Sequence, residues 1–500
     1  MAREAILAFD VGTSSVKAAA VDVKNGELVA YKSTSYPLLF PQAGYIEIDP
    51  DTLWDALVSS FAQVHKETEG VCEFIGICFS WFSNCLILAD KDMKPLTNIL
   101  QFEDARAAGD TFEYFKKKDP NGYCKEHNLP PISMFLAPRG EALKTLWFKQ
   151  NRPDIFEKAR YMFDNQQFVL SRLGVEPAQD DSLSYQKLVE DVRKREWSAD
   201  LLDLYEIPHD LCKERIVGCT EIVGEVDHIG EVKFPKKIPV IIGAHDEICG
   251  TFGTGCLPEK KGSIANIMGT SDTMCFFSDY TNREEFPSSG YLPVRTPFGR
   301  YNVYGHGYTM TGAALEWYAK QYFPGEGRGV FGRLFGEARF DAKGSVQFVP
   351  GFNRNKVGMR GITLKTTPMD IITALAEGIT YECHYSMQRN DGMMFDECGV
   401  HIDRIVVSGG GSQSDSFLQL RADIMGLPIQ RTDSPHACSI GVAVIAATSL
   451  GVYGSFGQAA DAIVRLGVTF EPNGQLHDAY MAKEPAYKEF RDVINPEVRH

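Results

Sequence analysis

Ala5-Ile6-Leu7-Ala8-Phe9-Asp10-Val11-Gly12-Thr13-Ser14, near the start of the chain, and Ser263-Ile264-Ala265-Asn266-Ile267-Met268-Gly269-Thr270-Ser271, in its second half, decide the fold. Each is an apolar run of strand length that ends in Gly-Thr-Ser. Each is followed by a second strand-like run, Val16 to Val23 in the first case and Asp272 to Phe277 in the second. Asn25-Gly26 then signals a hairpin turn before a third strand, Leu28 to Ser33. The opening is a β-meander rather than a βαβ unit, and its recurrence predicts a duplicated α/β fold.

Working outward, the spacing of Leu53, Trp54, Leu57, Val58 and Phe61 predicts a helix over Pro50 to Val64, started by Asp49 or Pro50. Strands are expected at Phe74 to Cys78 and Cys85 to Ala89, and helices at Glu141 to Asn151 and Gln166 to Leu173. A Lys/Pro-rich stretch, Lys233 to Pro239, precedes a buried strand, Val240 to Gly243. A boundary near Gly253-Thr254-Gly255 divides the chain into halves 1–254 and 255–500. In the second half, helices are expected at Met369 to Cys383, Ser416 to Met425 and Ser439 to Leu450, the last with Gly441 suited to close packing. A β-branched strand, Ile405 to Ser408, runs into Gly409-Gly410-Gly411-Ser412.

The bulk properties exclude several classes. Of 500 residues, 44% are hydrophobic and 23% charged, a globular balance. The net charge of -15 repels nucleic-acid phosphate and anionic lipid, so no nucleic acid and no membrane is expected as a partner. Twelve scattered cysteines without a C-x-x-C pair read as reduced thiols in a cytoplasmic protein, not as a zinc site. The first apolar run is too short for a signal peptide, and no stretch reaches the ~20 apolar residues of a membrane span.

Three places offer chemistry. Gly12 lets an anion approach the backbone, with Thr13 and Ser14 as hydroxyl and amide donors, and Asp10 at the strand end could hold magnesium through water. The competing reading is a hairpin turn with a capping Asp. No G-x-x-x-x-G-K-[ST] loop occurs, and the first turn lacks the G-x-G-x-x-G fingerprint. Asp246, in Gly243-Ala244-His245-Asp246-Glu247, follows an apolar strand. It is either a helix N-cap or a carboxylate that accepts a proton from a substrate hydroxyl, and spacing alone favours the cap. His245 reads as structural. Gly409-Gly410-Gly411-Ser412, between strand and helix, suits a nucleotide lying on bare backbone or a flexible turn.

Taken in order, these segments resemble the FGGY family of carbohydrate kinases over nearly the whole chain. Asp10 to Ser14 resembles the first phosphate loop. Gly44-Tyr45-Ile46-Glu47-Ile48-Asp49-Pro50, leading to Trp54, is similar to "G-W-x-E-x-D-P". Phe102-Glu103-Asp104-Ala105-Arg106 is similar to "W-x-D-x-R", and Gly269-Thr270-Ser271 to the second phosphate loop. Gly409 to Phe417 with Asp423 to Pro428 resembles the adenosine segment, and Phe470-Glu471-Pro472 and Tyr487 to Arg491 the C-terminal ending.

The resemblance implies two actin-like, ribonuclease-H-like domains around a central cleft. It implies transfer of the ATP γ-phosphoryl to a hydroxyl of a sugar or polyol, with a ketopentose such as xylulose or ribulose foremost. It reverses the weighting of Asp246, which becomes the general base, with Asp10 organising Mg2+. Gly12, Thr13, Ser14, Gly269, Thr270, Ser271, Gly312, Gly409, Gly410, Gly411 and Ser412 would hold ATP. Ser83, Asn84, Glu103 and Asp104, with Asp246, would hold the substrate. A homodimer is compatible with it.

The chain also departs from the family. Glu247 stands where Gln is common, and Ser80-Trp81-Phe82-Ser83-Asn84 replaces the usual sugar-side stretch, with Trp81 and Phe82 either cleft walls or core. Thr145 replaces an apolar residue, and Pro435-His436-Ala437-Cys438 lacks the usual Glu-Ala pair. These changes leave the sugar open. Glu247 and the altered sugar-side stretch motivate a rival, a catalytically silent ATP- or sugar-binding sensor. The duplicated loops alone also admit an actin-like ATPase acting on protein.

Overall fold

The structure is a computed structural model. It describes residues 2–134, 136–277, 292–294, 298, 302–304, 307–326, 329–352 and 356–495. The chain forms two compact units, the first from Met1–Gly253, Asp279–Tyr304 and Cys438–Val464, the second from Thr254–Ser278, Gly305–Ala437 and Arg465–His500. Among the described residues no helix is long and apolar enough to cross a membrane.

In the first unit, β1 (Arg3–Val11), β2 (Ser15–Asp22) and β3 (Leu28–Ser35) form the expected antiparallel meander. Helix α1 (Pro50–Thr68) follows, and the Asp49 side chain caps it by accepting from the Thr52 N–H at 2.8 Å. Its Leu53, Leu57, Phe61 and Val64, three or four residues apart, bury one face among Phe9, Ala18 and Ala20. Strand β4 (Cys72–Trp81) runs parallel to β1. Helices α2 (Glu141–Asn151) and α3 (Asn165–Arg172) come next, then β5 (Ile222–Ile229) and β6 (Val232–His245). The sheet order is β5-β6-β4-β1-β2-β3. Lys233 to Pro239, expected to precede the strand, lies within it, because those residues pair antiparallel with β5 in an edge hairpin. Phe9 stacks on Phe79 at 5.2 Å and Phe79 on Trp81 at 4.6 Å. The Trp81 indole N–H donates to Ile242 O at 2.6 Å. Trp81 and Phe82 are both buried, which settles them as core.

Helix α4 (Asp246–Thr254) closes the first stretch. In the second unit, β7 (Ser263–Met268), β8 (Asp272–Cys275) and β9 (Gly307–Thr309) repeat the meander, before helices α5 (Thr311–Tyr322) and α6 (Pro368–Cys398). Strand β10 (Arg404–Ser408), helix α7 (Asp415–Met425), strand β11 (Ile429–Thr432), helix α8 (Ala437–Ser449) and strand β12 (Leu466–Phe470) complete the set used below. The second sheet has the order β9-β8-β7-β10-β11-β12, with β7, β10 and β11 parallel. Its first five strands match β3-β2-β1-β4-β6 in order and direction, which is the duplication expected from the two Gly-Thr-Ser turns.

Two differences from the sequence reading have clear causes. Helix α6 runs fifteen residues past Cys383. Asn390-Asp391-Gly392 looks like a turn, but Asn390 is buried and Asp391 accepts from the Ile402 N–H at 2.6 Å, so tertiary contacts override local preference. Helix α8, from late in the chain, lies almost wholly in the first unit. A Cβ on Gly441 would sit 1.7 Å from Cys249 O, so only glycine allows α8 to approach α4 this closely.

Candidate functional site

The C-terminal ends of β1, β4 and β6 form one edge of the first sheet. Asp10 on β1 and Ala244 on β6 are both level with Ser80 on β4. Asp246 begins α4 two residues later, so Asp10 and Asp246 stand on either side of the β4 terminus. The Glu247 N–H donates to Asp246 Oδ1 at 2.8 Å, and His245 Nε2 lies 3.1 Å from the same oxygen. Surrounding protein, then the negative charge of Asp10, push the Asp246 carboxyl up to about 7, against the pull of the Glu247 N–H and Lys17. Its side chain keeps 38% of its accessible surface. A reachable carboxyl with this pKa suits proton transfer near neutral pH.

Asp10 pairs with Lys17 at 3.0 Å. Burial opposes the Lys17 charge, but Asp10 outweighs it and holds the ammonium above the ordinary lysine value. Lys17 escaped the sequence reading, although a hairpin closed at residues 12–14 places it directly across from Asp10. Among the described residues no three His, Cys, Asp or Glu side chains cluster as a metal cage. The oxygen donors here fit magnesium, which keeps water and phosphate oxygens around one or two carboxylates. In the adjoining turn Thr13 and Ser14 are exposed, the Gly12 N–H donates to Ser15 O at 3.0 Å and the Tyr36 hydroxyl to Gly12 O.

The residues expected on the substrate side divide. Ser83 is half-buried, and Asn84 is buried with a left-handed φ of 55°. Lys144 Nζ donates to Asn84 O at 2.9 Å and Gln101 O at 2.7 Å, and Gln101 Nε2 to Thr13 O at 3.3 Å. Burial pushes the Lys144 ammonium down to about 8, with Asp104 resisting. No role was expected for this lysine, although it directly precedes Thr145; its place on the inward side of α2 is a sequence signal of burial. Asp104 is corrected: it is fully buried, Oδ1 accepts from Arg106 Nε at 2.8 Å, and Oδ2 accepts from the Ile46 N–H at 2.8 Å and Arg106 Nη2 at 2.9 Å. It shapes the segment and offers no oxygen to a ligand. Glu103 beside it is exposed.

In the second unit, Ile267 on β7 is level with Ser408 on β10, which sets the two glycine turns side by side. Gly409 has φ 101°, and a Cβ there would lie 2.5 Å from Met268 O. Gly312, in the first turn of α5, abuts the other turn: its Cβ would meet Gly269 O at 2.3 Å, and the Ala313 N–H donates to Thr270 O at 3.0 Å. Gly269, Thr270 and Gly410 are exposed, and Ser271 and Gly411 half-buried. Ser412 is corrected: it is fully buried and its hydroxyl donates to Gly409 O at 2.7 Å, closing the turn instead of meeting a ligand. Beneath Ser271, the buried Asp272 accepts from Arg421 Nη2 at 2.7 Å and the Thr311 hydroxyl at 2.9 Å.

Residues 5–253 match the N-terminal domain, and residues 264–450 the C-terminal domain, of the FGGY family of carbohydrate kinases. A xylulose kinase of Bacillus subtilis is 25% identical, over 97% of this chain and 96% of its own. A ligand-bound xylulose kinase structure from Lactobacillus acidophilus aligns with a TM-score of 0.82 at 20% identity, covering 98% of each chain. A gluconate kinase structure from the same organism gives the same TM-score, identity and coverage. The shared fold is the two-domain, actin-like and ribonuclease-H-like one, with a sheet in each domain.

Proposed function

The chain belongs to the FGGY family of carbohydrate kinases, sugar-phosphorylating phosphotransferases, and on that premise we propose that it transfers the γ-phosphoryl group of ATP to a hydroxyl of a ketopentose, such as xylulose or ribulose. The observation that carries the reading is the placement of Asp246, a solvent-reachable carboxyl that with Asp10 flanks the end of β4. Asp246 takes the proton as the sugar oxygen attacks the γ-phosphorus. The new P–O bond forms as the bond to the β-phosphate oxygen breaks, and ADP leaves. Catalysis of this kind is mostly positioning and charge stabilisation.

Asp10 would hold Mg2+, which when bound neutralises charge on the phosphates. Thr13 and Ser14 offer donors to phosphate on the first unit, as Thr270 and Ser271 do on the second, while Gly12 and Gly269, whose N–H groups close their own turns, let the phosphate approach the backbone. Gly409, Gly410 and Gly411 leave bare backbone for the nucleoside. Ser83, Asn84 and Glu103 remain the proposed sugar contacts, and 1–254 and 255–500 the duplicated halves. Xylulose leads because the relatives at similar length include xylulose kinases. Intact Asp10, Thr13 and Asp246 speak against a silent sensor. The test is ADP release measured over xylulose, ribulose, glycerol and gluconate. ADP formation is expected with a ketopentose; ATP binding without ADP formation on any acceptor would refute the kinase reading.

A further inference from the structure

Beside Asp246 the first unit carries polar side chains that phosphoryl transfer does not use. The His245 N–H at the end of β6 donates to Ser182 Oγ at 2.9 Å, and the Ser182 hydroxyl bonds Asp180. This brings the segment from Asp180 to Gln186 against the end of β6, one residue before Asp246. Gln186 Oε1 accepts from Asn84 Nδ2, while Lys144 holds the Asn84 carbonyl. Despite these ties Asn84 Oδ1 has no hydrogen-bond partner, on a residue only 5% exposed. Whichever way the amide is assigned, one of its polar atoms stays unpaired. The Tyr185 hydroxyl, on a residue 6% exposed, lies by the Gln186 amide without a hydrogen bond of normal geometry. Glu247 is near enough for its charge to act on that phenol, which burial already keeps protonated.

Buried polar groups in native proteins are almost always paired. Asn84 Oδ1 has no partner and the Tyr185 hydroxyl none of normal geometry, on residues tied through Ser182 and Gln186 to the strand end that precedes Asp246; such groups mark a place that a ligand completes. We propose that Asn84, Tyr185 and Gln186 are specificity-determining residues that read acceptor hydroxyls other than the one phosphorylated, and that with Glu247 they select uncharged polyhydroxylated acceptors over aldonates. This rests on the carbohydrate kinase reading above. A sugar hydroxyl both donates and accepts, so it serves the Asn84 oxygen and the Tyr185 hydroxyl alike. An aldonate adds a carboxylate, whose charge meets the carboxylates of Asp246 and Glu247 whichever way the Asn84 amide is turned. Among the described residues, Lys17 pairs with Asp10, Arg195 with Asp181 at 2.9 Å, and Lys144 holds two carbonyls.

Calorimetric titration of the full chain without ATP tests this, with D-xylulose, D-ribulose and D-gluconate as probes. A ketopentose is expected to bind at least about tenfold more tightly than gluconate. Tyr185→Phe is expected to weaken that binding about tenfold, with unchanged melting temperature and ATP affinity. Asn84→Ala gives a second reading, and Tyr185→Phe stands alone if that variant does not fold. Gluconate binding as tight as the ketoses, no binding of either ketose, or unchanged ketose binding by Tyr185→Phe would each overturn the proposal. Failure of the kinase reading looks different: tight ketose binding with no ADP formed.

Discussion

Asp10 and Asp246 flank the end of one strand, and the charge of the first raises the pKa of the second. Asp246 accepts a proton only when ionised. The kcat/KM for sugar should therefore rise with pH, with a midpoint near 7, and level off above it. In the protein without Mg2+, Asp10→Asn removes the repelling charge and should move the titration of the Asp246 carboxyl, followed by NMR, downward. A profile flat from about pH 5.5 to 8 would remove Asp246 from the rate equation.

Lys144 fastens the carbonyls of Asn84 and Gln101, and through Gln101 the Thr13 turn. Lys144→Met leaves both carbonyls without their charged donor. Urea unfolding should show a loss of about 2–3 kcal/mol, and kcat/KM should drop roughly tenfold or more. Lys144→Arg should not restore either, because a planar guanidinium does not fit a site shaped for an ammonium. Wild-type kinetics in Lys144→Met would show that the tether is irrelevant to the site.

Arg421 and Asp272 form a fully buried ion pair under the second turn. Arg421→Met strands the carboxylate and should cost about 3–5 kcal/mol in urea unfolding. Adding Asp272→Asn should recover part of that loss, since the stranded charge disappears. The ATP KM should rise in both variants. Additive losses in the double variant would mean that the two side chains act independently.

Much of this was legible in the sequence, and the exceptions share a cause. Both Gly-Thr-Ser turns, the meanders, the start of α1 and the strand-end position of Asp246 follow from local pattern and turn chemistry. Lys17 needed the hairpin register to be drawn out. Lys144, Asp104 and Ser412 needed burial: Asp104 and Ser412 resemble ligand contacts in type and position, yet both are spent on neighbouring backbone or side chains. The membership of α8 in the first unit depends on Gly441 meeting α4, a contact between residues far apart in sequence.

Gly410 and Gly312 separate ligand contact from loop support. A Cβ on Gly410 meets nothing within 4 Å, whereas one on Gly312 collides with Gly269 O. Gly410→Ala should keep its melting temperature and raise the ATP KM. Gly312→Ala should lower the melting temperature as well as raise the KM. Unchanged ATP binding in Gly410→Ala would take the nucleotide off that backbone.

The most direct test is single-turnover phosphoryl transfer by Asp246→Asn at pH 8. The folded carboxyl has a raised pKa, so between about 4 and 7 stability falls as pH rises. Removing the carboxylate should therefore leave the melting temperature equal or higher. ATP binding should persist while the transfer rate falls by about 100- to 10,000-fold. Transfer within about twofold of the unaltered protein, by a variant that folds and binds ATP, would contradict Asp246 as the general base.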